Sequence, residues 1–581
     1  MESPRLLTQF IKRKWYVYVS GILFIAAANI VQVYYPKLIG QFTDELDRLG
    51  LTGDAVVHYG VLLLAVGVGY VVLGGIGQLH VMYAGRLFEF YTRKQLFDHF
   101  TSLTESFYAK QGVGKLLSYM MNDIKGVRES ISSGVNHTTN AVMLIVAAVG
   151  TMLLSQIPLY LIAVCVAPLV VLPWLVVRFG PVIRTRSKQV QDDLGRMTET
   201  AEEQLGGIRV TKKFAVESIM NDRFGESVDR IRDDQIRLVR VSSLFQALIP
   251  FMGALSLIVT IAYGGYLALS GSISIGNFVA LTLYVRMMVN PLQQIGNVIN
   301  TMQRSRASLE RLNELFAVRP EVTESPEAIE ADFAKARVEV RQLTFSYPDT
   351  QEEALRGIDL TIEPGRTLGI VGRTGSGKTT LMKLLLRLYD PPAGAIRIGQ
   401  ADIRDLTLES LRSGIAYVPQ DGFLFSTTIQ DNIAFYKRDE AAEAVARAAK
   451  QAQIYNNIKA FPDQFDTKLG ERGVTLSGGQ RQRTSLARGL IKNAPILILD
   501  DSVSAVDAVT ERRILETVRA ERRNRTTIVI AHRISAVMHA DEIVVLDEGR
   551  IVQRGRHEEL IAKPGIYADL YAIQEEGSRY A

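Results

Sequence analysis

The sequence predicts an all-α membrane domain of six helices followed by a soluble α/β domain. Two observations support this fold class. Up to residue 300 the chain contains six long apolar stretches, and a bilayer-spanning helix needs about 20 mostly apolar residues. After residue 337, short apolar runs alternate with helical stretches, which is typical of an α/β domain. The six predicted strands are 338–345, 368–371, 415–418, 496–499, 527–530 and 543–546.

The overall composition hides the difference between these two halves. Of the 581 residues, 47% are apolar and 22% are charged, as in an ordinary soluble protein. These values exclude a disordered, collagen-like or disulfide-stapled chain. The single cysteine, Cys165, also excludes an intrachain disulfide and a cysteine-based zinc site.

Each apolar stretch is predicted to form one membrane span. The third stretch reaches full length only when residues 131–139 are included. Buried helices of a soluble protein are the alternative explanation, but stretches of this length exceed ordinary core helices. The six stretches are 15–39, 56–79, 141–154, 159–177, 244–269 and 275–298.

Basic residues indicate the orientation of the chain in the cytoplasmic membrane. Lys12, Arg13 and Lys14 precede the first span, and the long segments after spans two and four are rich in lysine and arginine. Because positive residues stay on the cytoplasmic side, both termini are predicted to be cytoplasmic. The net charge of +5 follows partly from this pattern. Since acidic residues are interleaved with the basic ones, no nucleic-acid partner is expected.

The long cytoplasmic segments are predicted to be helices folded into hairpins. Residues 86–108 and 182–241 continue as helices, with breaks expected at Gly112, Gly114 and Gly206-Gly207. Three regions result. Residues 1–318 form the transmembrane domain, the proline-containing and acidic residues 319–336 form a linker, and residues 337–581 form the soluble domain.

A phosphate-binding motif follows the apolar run 368–371. Its pattern, G-x-x-x-x-G-K-[ST], lies between a predicted strand and a predicted helix, which is the required context. Backbone N–H groups of such a loop surround phosphate oxygens, while Lys378 supplies a cation and Thr379 a hydroxyl for Mg²⁺. A chance match is the alternative for so short a pattern. The ATP-binding residues predicted here are Gly372, Arg373, Thr374, Gly375, Ser376, Gly377, Lys378, Thr379 and Thr380.

A carboxylate at the end of another strand completes this chemistry. Asp500 follows the apolar run 496–499 and is predicted to hold the water shell of Mg²⁺, as in P-loop NTPases. Any buried strand can end in aspartate, but the position downstream of the phosphate loop favours the metal role. Upstream of Asp500 lies Ser477-Gly478-Gly479-Gln480, whose serine and glycine N–H groups would form an anion site if they began a helix.

With these motifs the sequence resembles an ATP-binding cassette (ABC) transporter of the exporter type, over nearly the whole chain. The resemblance implies a type IV, domain-swapped exporter fold in which residues 337–581 are the nucleotide-binding cassette. It implies that the signature 477–480 binds ATP held by another cassette. The resemblance assigns roles to further residues: Tyr347 stacks on adenine, Gln420 senses Mg²⁺, Ser504 and Asp507 form the D-loop, His532 contacts the γ-phosphate, and Glu471-Arg472-Gly473 precedes the signature.

The membrane half also resembles this class. Residues 107–127 and 203–217 match the two cytoplasmic turns, which the resemblance implies are coupling helices that dock on the cassettes, the second on the partner's. One membrane domain and one cassette make half a transporter, so the chain is expected to dimerise. The residues that carry the match are Gly114, Leu117, Ser118, Asn122 and Asp123 in the first turn, and Gly207, Ile208, Val210 and Phe214 in the second.

One residue departs from the family pattern. Asp501 stands where the family has a glutamate, the base that positions the attacking water. Aspartate places its carboxylate about 1.5 Å further back, and a 1 Å misplacement can cost about 10²-fold in rate. Residues 500–507 resemble the degenerate-site subunits of bacterial heterodimeric multidrug exporters. We therefore expect a heterodimer whose partner has glutamate at this position; the alternative is a homodimer in which Asp501 works adequately.

The cargo is less evident from the sequence. Polar residues inside spans are costly and usually face a cavity or another helix. Arg286 is the most conspicuous and is consistent with anionic or amphiphilic cargo, although a salt bridge or a snorkelling side chain is the alternative. Export of drugs or lipophilic compounds, lipid flipping, and an ATP-gated channel or nucleotide-sensing regulator all stay open. The predicted cavity residues are Arg286, Asn290, Gln293 and Asn297; Asn29, Gln32, Gln246 and Gln294 are further candidates.

Overall fold

The computed structural model describes residues 6–49, 52–333, 337–348, 350, 352–437, 439–470, 473 and 475–579. The chain divides into two compact units. The first comprises Met1–Ser102 and Lys110–Arg319, and the second comprises Leu103–Ala109 and Pro320–Ala581.

The first unit is built from long helices. α4 includes two π-helical turns, Tyr119–Asp123 and Ser130–Gly134, and α7 includes a third, Thr260–Gly264. The helices are α1 (Leu6–Leu49), α2 (Gly53–Ser102), α3 (Glu105–Gln111, which begins in the second unit), α4 (Val113–Leu154), α5 (Leu159–Gly206), α6 (Ile208–Phe214), α7 (Glu217–Leu269) and α8 (Ile275–Ala317).

Five of these helices, α1, α2, α4, α5 and α7, are long and apolar enough to cross a membrane. The sixth predicted span, 275–298, lies in α8, which is not among the five. Asn277, Arg286 and Asn290 interrupt the apolar sequence of α8 and lower its hydropathy.

The predicted hairpin breaks are mostly confirmed. Gly112, with φ +71°, separates α3 from α4, and Gly207 separates α5 from α6. The expected break at Gly114 is wrong, because Gly114 lies inside α4. The predicted helix 86–108 is interrupted after Ser102, and a further break follows α6 at Ala215, whose φ is +53°.

Close contacts between α1 and α8 organise the first unit. A Cβ on Gly276 would lie 2.0 Å from the carbonyl oxygen of Gly40, so the two backbones meet where only glycine fits. Nearby, Asp44 accepts hydrogen bonds from Ser274 Oγ (2.8 Å) and the backbone N–H of Gly276 (2.7 Å). The end of α1 therefore fixes the start of α8.

The second unit contains two sheets. A six-stranded sheet has the order β10-β9-β3-β8-β7-β6, parallel except for β10, and a four-stranded antiparallel sheet has the order β2-β1-β4-β5. Each of the six predicted strands is present. The strands are β1 (Val338–Ser346), β2 (Glu353–Ile362), β3 (Thr367–Gly372), β4 (Ile396–Ile398), β5 (Ala401–Asp402), β6 (Ile415–Val418), β7 (Ile496–Asp500), β8 (Thr526–Ile530), β9 (Glu542–Asp547) and β10 (Arg550–Gly555).

Helices cover the sheets, and the buried parallel strands form the centre of the core. The 3₁₀ turns Ile403–Asp405 and Gln464–Asp466 are among the described connections between the elements. The helices are α9 (Lys378–Leu385), α10 (Leu408–Ser413), α11 (Ile429–Ile433), α12 (Ala442–Gln451), α13 (Tyr455–Lys459), α14 (Gly478–Ile491), α15 (Ala508–Glu521), α16 (Ile534–Val537), α17 (His557–Ile561) and α18 (Ile566–Arg579).

Candidate nucleotide site

The topology of the larger sheet gathers four sequence motifs at one edge. β3, β6, β7 and β8 are parallel neighbours in the order β3-β8-β7-β6, so their carboxyl ends lie on the same side. The phosphate loop follows β3, Gln420 follows β6, Asp500 ends β7 and His532 follows β8. Ligands of open α/β sheets bind at this edge, and the predicted residues are brought there by the fold itself.

The phosphate loop needs its glycines. Gly375 and Gly377 have φ values of +83° and +98°, a conformation that favours glycine. A Cβ on Gly377 would lie 2.6 Å from the carbonyl oxygen of Ala354. The loop therefore turns tightly into α9, and the first N–H groups of that helix are available to an anion.

Lys378, the first residue of α9, folds back over the loop. Its Nζ donates to the carbonyl oxygens of Gly372 (2.9 Å) and Arg373 (2.8 Å), and the side chain is buried. Burial lowers the pKa of Lys378, while Asp500 and Asp501 act in the opposite direction. A phosphate would bring an opposite charge to this buried ammonium, and a nearby opposite charge favours the charged form of a buried group.

Asp500 has the environment of a metal ligand. Its Oδ2 accepts a hydrogen bond from the Tyr417 hydroxyl at 3.0 Å, and the Thr379 side chain is also a hydrogen-bond partner. Burial raises the pKa of Asp500, and these two hydrogen bonds oppose the rise. A carboxylate beside a hydroxyl offers the oxygen ligands that Mg²⁺ prefers, so the residues present fit this ion.

Asp501 is fixed by contacts from three sides. Its φ is +45°, and its N–H donates to the carbonyl oxygen of Ile530 at 2.9 Å. Its carboxylate accepts from Gln420 Nε2 at 3.2 Å, and its own carbonyl accepts from Gln482 Nε2 at 3.0 Å. Neither the tyrosine partner of Asp500 nor the role of Gln482 was evident from the sequence.

The predicted base-stacking residue lies beside α9. The Tyr347 hydroxyl is 3.0 Å from Thr380 Oγ1, and its ring meets those of Tyr389 and Phe345 edge-on at 5.2 and 5.3 Å between centroids. The side chain is half-buried, so part of the ring is accessible. Tyr347 is thus joined directly to the helix that begins with the phosphate loop.

The signature motif forms the first turn of α14. Ser477 caps this helix: its Oγ accepts from the Gln480 N–H at 3.3 Å, and its own N–H donates to Gln480 Oε1 at 3.0 Å. A Cβ on Gly479 would lie 3.0 Å from the carbonyl oxygen of Ala505, so the helix start abuts the D-loop. Of the predicted segment before the signature, Gly473 is described, whereas Glu471 and Arg472 lie outside the described residues.

The D-loop is held by hydrogen bonds at both ends. Ser504 Oγ donates to the carbonyl oxygen of Asp501 at 2.9 Å, and Asp507 caps α15 by accepting from the Thr510 N–H at 2.9 Å. Within the loop, the N–H of Ala505 donates to Oε1 of Gln482 at 2.9 Å. Gln482, on the signature helix, therefore connects Asp501 to the D-loop through its single amide.

The His532 imidazole is exposed, and its backbone is fixed by the last helix. Gln574 on α18 donates from Nε2 to the carbonyl oxygen of His532 at 2.8 Å. Its Oε1 accepts from the N–H of Ile534, also at 2.8 Å. This contact was missed from the sequence, because Gln574 belongs to no motif and lies far along the chain.

The predicted cavity residues are only partly described. Arg286 and Asn290 are exposed on α8, and among the described residues no ion-pair partner of Arg286 is found. The side chains of Gln293 and Asn297 lie outside the described part of the chain. Asn29 on α1 is buried and donates to the carbonyl oxygen of Ile25 at 2.8 Å.

Comparisons with known proteins identify the family of the chain. The model of the ABC transporter transmembrane region matches residues 18–292, and the ABC transporter model matches residues 355–504. The probable multidrug resistance ABC transporter ATP-binding/permease protein YheI of Bacillus subtilis is 34% identical over 571 residues, which cover 97% of this chain and 96% of that protein. An ATP-dependent lipid A-core flippase of Thiobacillus denitrificans is 33% identical over 572 residues, which cover 98% of this chain and 97% of that protein.

A solved structure is similar over the same length. The structure of a bacterial Atm1-family ABC exporter with ATP bound has a TM-score of 0.80 at 26% identity, covering 97% of this chain and 98% of that one.

The fold and the site define a half-transporter, in which a helical membrane domain is fused to a nucleotide-binding cassette. The chain belongs to the ABC transporter family and has the type IV exporter fold. It is accordingly a multi-pass membrane protein whose cassette binds ATP.

Proposed function

We propose that the chain is one half of a heterodimeric exporter that moves lipophilic or amphiphilic compounds of the multidrug type across the cytoplasmic membrane. Transport is driven by ATP through alternating access. This chain supplies a slow ATP site and an intact signature. The observation that carries the proposal is Asp501, a carboxylate one methylene too short for the base position in an otherwise complete site.

Nucleotide binding is expected to be retained at this chain's own site. Lys378 places its ammonium beside the phosphate loop, and Tyr347 presents a ring to the base. Thr379, Gln420 and Asp500 would hold Mg²⁺, which neutralises phosphate charge when bound. The chain therefore holds ATP, while hydrolysis is slow because Asp501 positions water poorly.

The intact signature points to a different partner. Ser477, Gly478 and Gly479 present helix N–H groups that suit the γ-phosphate of ATP on another cassette. A chain with a slow site of its own gains from completing a fast site elsewhere. We infer a partner half-transporter that has glutamate after its Mg²⁺-binding aspartate.

Two exposed apolar surfaces support assembly. On α6, Val210 and Phe214 are 59% and 73% exposed. On the cassette, the rings of Phe425 and Phe435 stack with 4.8 Å between centroids, and the Arg488 guanidinium lies over both. Exposed apolar patches of this kind mark interaction sites, and we propose that α6 docks on the corresponding surface of the partner's cassette.

The proposed transport cycle follows from the two ATP sites that two cassettes form together. ATP held between two cassettes favours their closed arrangement, and a ligand shifts an equilibrium only by its differential affinity for the two states. Closure turns the membrane helices from inward-facing to outward-facing, with both termini on the cytoplasmic side. Hydrolysis at the partner's site resets the dimer, while ATP in the slow site stays occluded over several cycles.

ATP turnover by the separate and combined chains tests this proposal. The chain alone, and together with a candidate half-transporter that has glutamate after its Mg²⁺-binding aspartate, is reconstituted in liposomes and assayed for ATP turnover. We expect low turnover alone, high turnover with the partner, and unhydrolysed ATP retained at Lys378. Full turnover by the chain alone, or equal hydrolysis at both sites, would contradict the heterodimer.

Lipid flipping is the second candidate. The flippase relatives act, by their name, on lipid A-core, and an exposed arginine at position 286 suits an anionic headgroup. Liposomes that carry both a lipophilic dye and a headgroup-labelled lipid separate the two functions. ATP-dependent dye transport without lipid transfer supports drug export, lipid transfer alone supports a flippase, and passive flux would indicate an ATP-gated channel.

A further inference from the structure

The chain passes between its membrane helices and its cassette through two short segments, both of which pack within the second unit. One is the turn 103–109, between the end of α2 and the start of α4, and the other is the linker 320–333 after α8. Leu103 and Val322 are buried, so each segment is anchored by an apolar side chain.

A carboxylate joins these two segments to each other. Oε2 of Glu321 accepts hydrogen bonds from Ser106 Oγ at 2.6 Å and from Thr104 Oγ1 at 3.2 Å. The pairs are more than 200 positions apart in sequence, so this contact is purely tertiary. Hydrogen bonds to a charged acceptor are stronger than neutral ones, and the buried Ser106 hydroxyl has its acceptor here.

Both segments are also attached to α9, the helix that follows the phosphate loop. Lys383 donates to Glu105 Oε1 in the turn at 2.7 Å. Burial lowers the pKa of Lys383, but the hydrogen bond and charge of Glu105, together with Tyr347 and Tyr389, act against it and the net shift is upward. Two residues beyond α9, the buried Arg387 donates from Nη2 to the Thr323 carbonyl of the linker at 2.8 Å.

We propose that Glu321 is a positioning residue, which clamps the linker to the turn so that both chain crossings follow α9 as one body when ATP binds. This inference rests on the proposed ATP-driven function and adds to it a route through the linker. Without Glu321 the turn keeps its own attachment to α9 through Glu105, whereas the linker keeps the buried Val322 and the hydrogen bond from Arg387 to Thr323 but loses its contact with the turn. The linker is therefore the segment whose response to ATP depends on the carboxylate.

Hydrogen–deuterium exchange of the full-length chain in nanodiscs, with and without Mg·ATP, tests the clamp. In the wild type we expect ATP to slow exchange in 378–388, 103–109 and 320–326 together. Glu321→Ala should retain the protection of 378–388 but lose that of 320–326 by about five-fold, since one hydrogen bond to a charged group is worth at least that factor. Glu327→Ala, an exposed glutamate of the same linker, is the matched control and should behave as the wild type.

The outcomes separate this inference from the proposed function. Equal ATP-dependent protection of 320–326 in the wild type and in Glu321→Ala overturns the clamp while leaving ATP binding intact. Absence of ATP protection at 378–388 in the wild type overturns the proposed ATP site and the clamp with it. Ser106→Ala should reproduce part of the Glu321→Ala effect, because Thr104 still donates to the carboxylate, and the double variant should lose no more than Glu321→Ala alone.

Discussion

The Gln420 amide donates from Nε2 to Oδ2 of Asp501 across 3.2 Å. The short carboxylate is therefore engaged by a neighbouring residue at the end of β6, while its backbone is tied to Ile530 on β8. An aspartate held in this way cannot swing toward the phosphate loop without breaking a hydrogen bond. The contact gives a structural reason, besides side-chain length, to expect the proposed slow hydrolysis at this site.

Lengthening this carboxylate should accelerate hydrolysis. Asp501→Glu restores the family's side chain, and we expect ATP turnover at this site to rise by about 10- to 100-fold, since a placement error near 1 Å has that cost. Turnover is measured on the purified chain, where only its own phosphate loop contributes. Asp501→Asn keeps the short length without the charge and should stay at the wild-type rate or below. No gain from the longer carboxylate, with full wild-type turnover, would favour a working homodimer.

The hydrogen bonds of the Gln482 amide lead us to expect that ATP turnover of a Gln482→Glu variant depends on pH. In the wild type, the amide nitrogen donates to the Asp501 carbonyl and the amide oxygen accepts from the Ala505 N–H, so both ends of the amide are engaged. Gln482→Glu keeps the acceptor, but an ionised carboxylate faces the Asp501 carbonyl and cannot donate. We expect turnover well below that of the wild type at neutral pH.

Acidification should partly restore this variant. Burial raises the pKa of a carboxyl group, and the protonated form can again donate to the carbonyl oxygen. The turnover of Gln482→Glu relative to the wild type should therefore rise as the pH falls. Gln400→Glu, an exposed glutamine elsewhere in the cassette, should show a constant ratio. A constant ratio for Gln482→Glu as well would mean that the amide merely fills space.

The motifs of the site were predictable because buried parallel strands appear as continuous apolar runs. β3, β6, β7 and β8 were each recognised in this way, and their loops carry the chemistry. β2 was not recognised, because it is half-exposed and charged residues such as Arg356 and Asp359 interrupt its apolar pattern. The break between α2 and α3 was also missed, since it depends on tertiary contacts such as Glu105 with Lys383.

We expect nucleotide affinity to change with pH as Lys378 loses its proton. Burial lowers its pKa from the usual lysine value, and phosphate binds the protonated ammonium more tightly. Affinity should be constant while Lys378 is protonated and should fall as the pH rises through this lowered pKa. The decline should therefore begin at a lower pH than an exposed lysine would give.

Fluorescence titration with trinitrophenyl-ATP from neutral pH upward measures this effect. Lys378→Arg is the control, because arginine stays charged throughout such a range. Its affinity can be weaker overall but should not change with pH. The same decline in Lys378→Arg would show that another group is titrating.

The contacts of Gln574 lead us to expect that the last helix, α18, stabilises the loop that carries His532. Its amide makes two hydrogen bonds to the backbone around the predicted γ-phosphate contact, one to the His532 carbonyl and one from the Ile534 N–H. Gln574→Leu has a similar volume but removes both bonds and leaves the two backbone groups without this partner. We expect the segment 531–536 to lose about 1–3 kcal/mol of local stability and ATP turnover in the assembled transporter to fall with it.

Hydrogen–deuterium exchange of residues 531–536 reports this local stability directly, because exchange follows the free energy of local opening. Ile573→Ala is the matched control on the same helix, since the Ile573 side chain is 66% exposed and its removal should leave exchange unchanged. If Gln574→Leu and Ile573→Ala exchange at the same rate, the amide contacts do not fix the loop. If exchange quickens but turnover stays constant, the position of His532 does not limit hydrolysis.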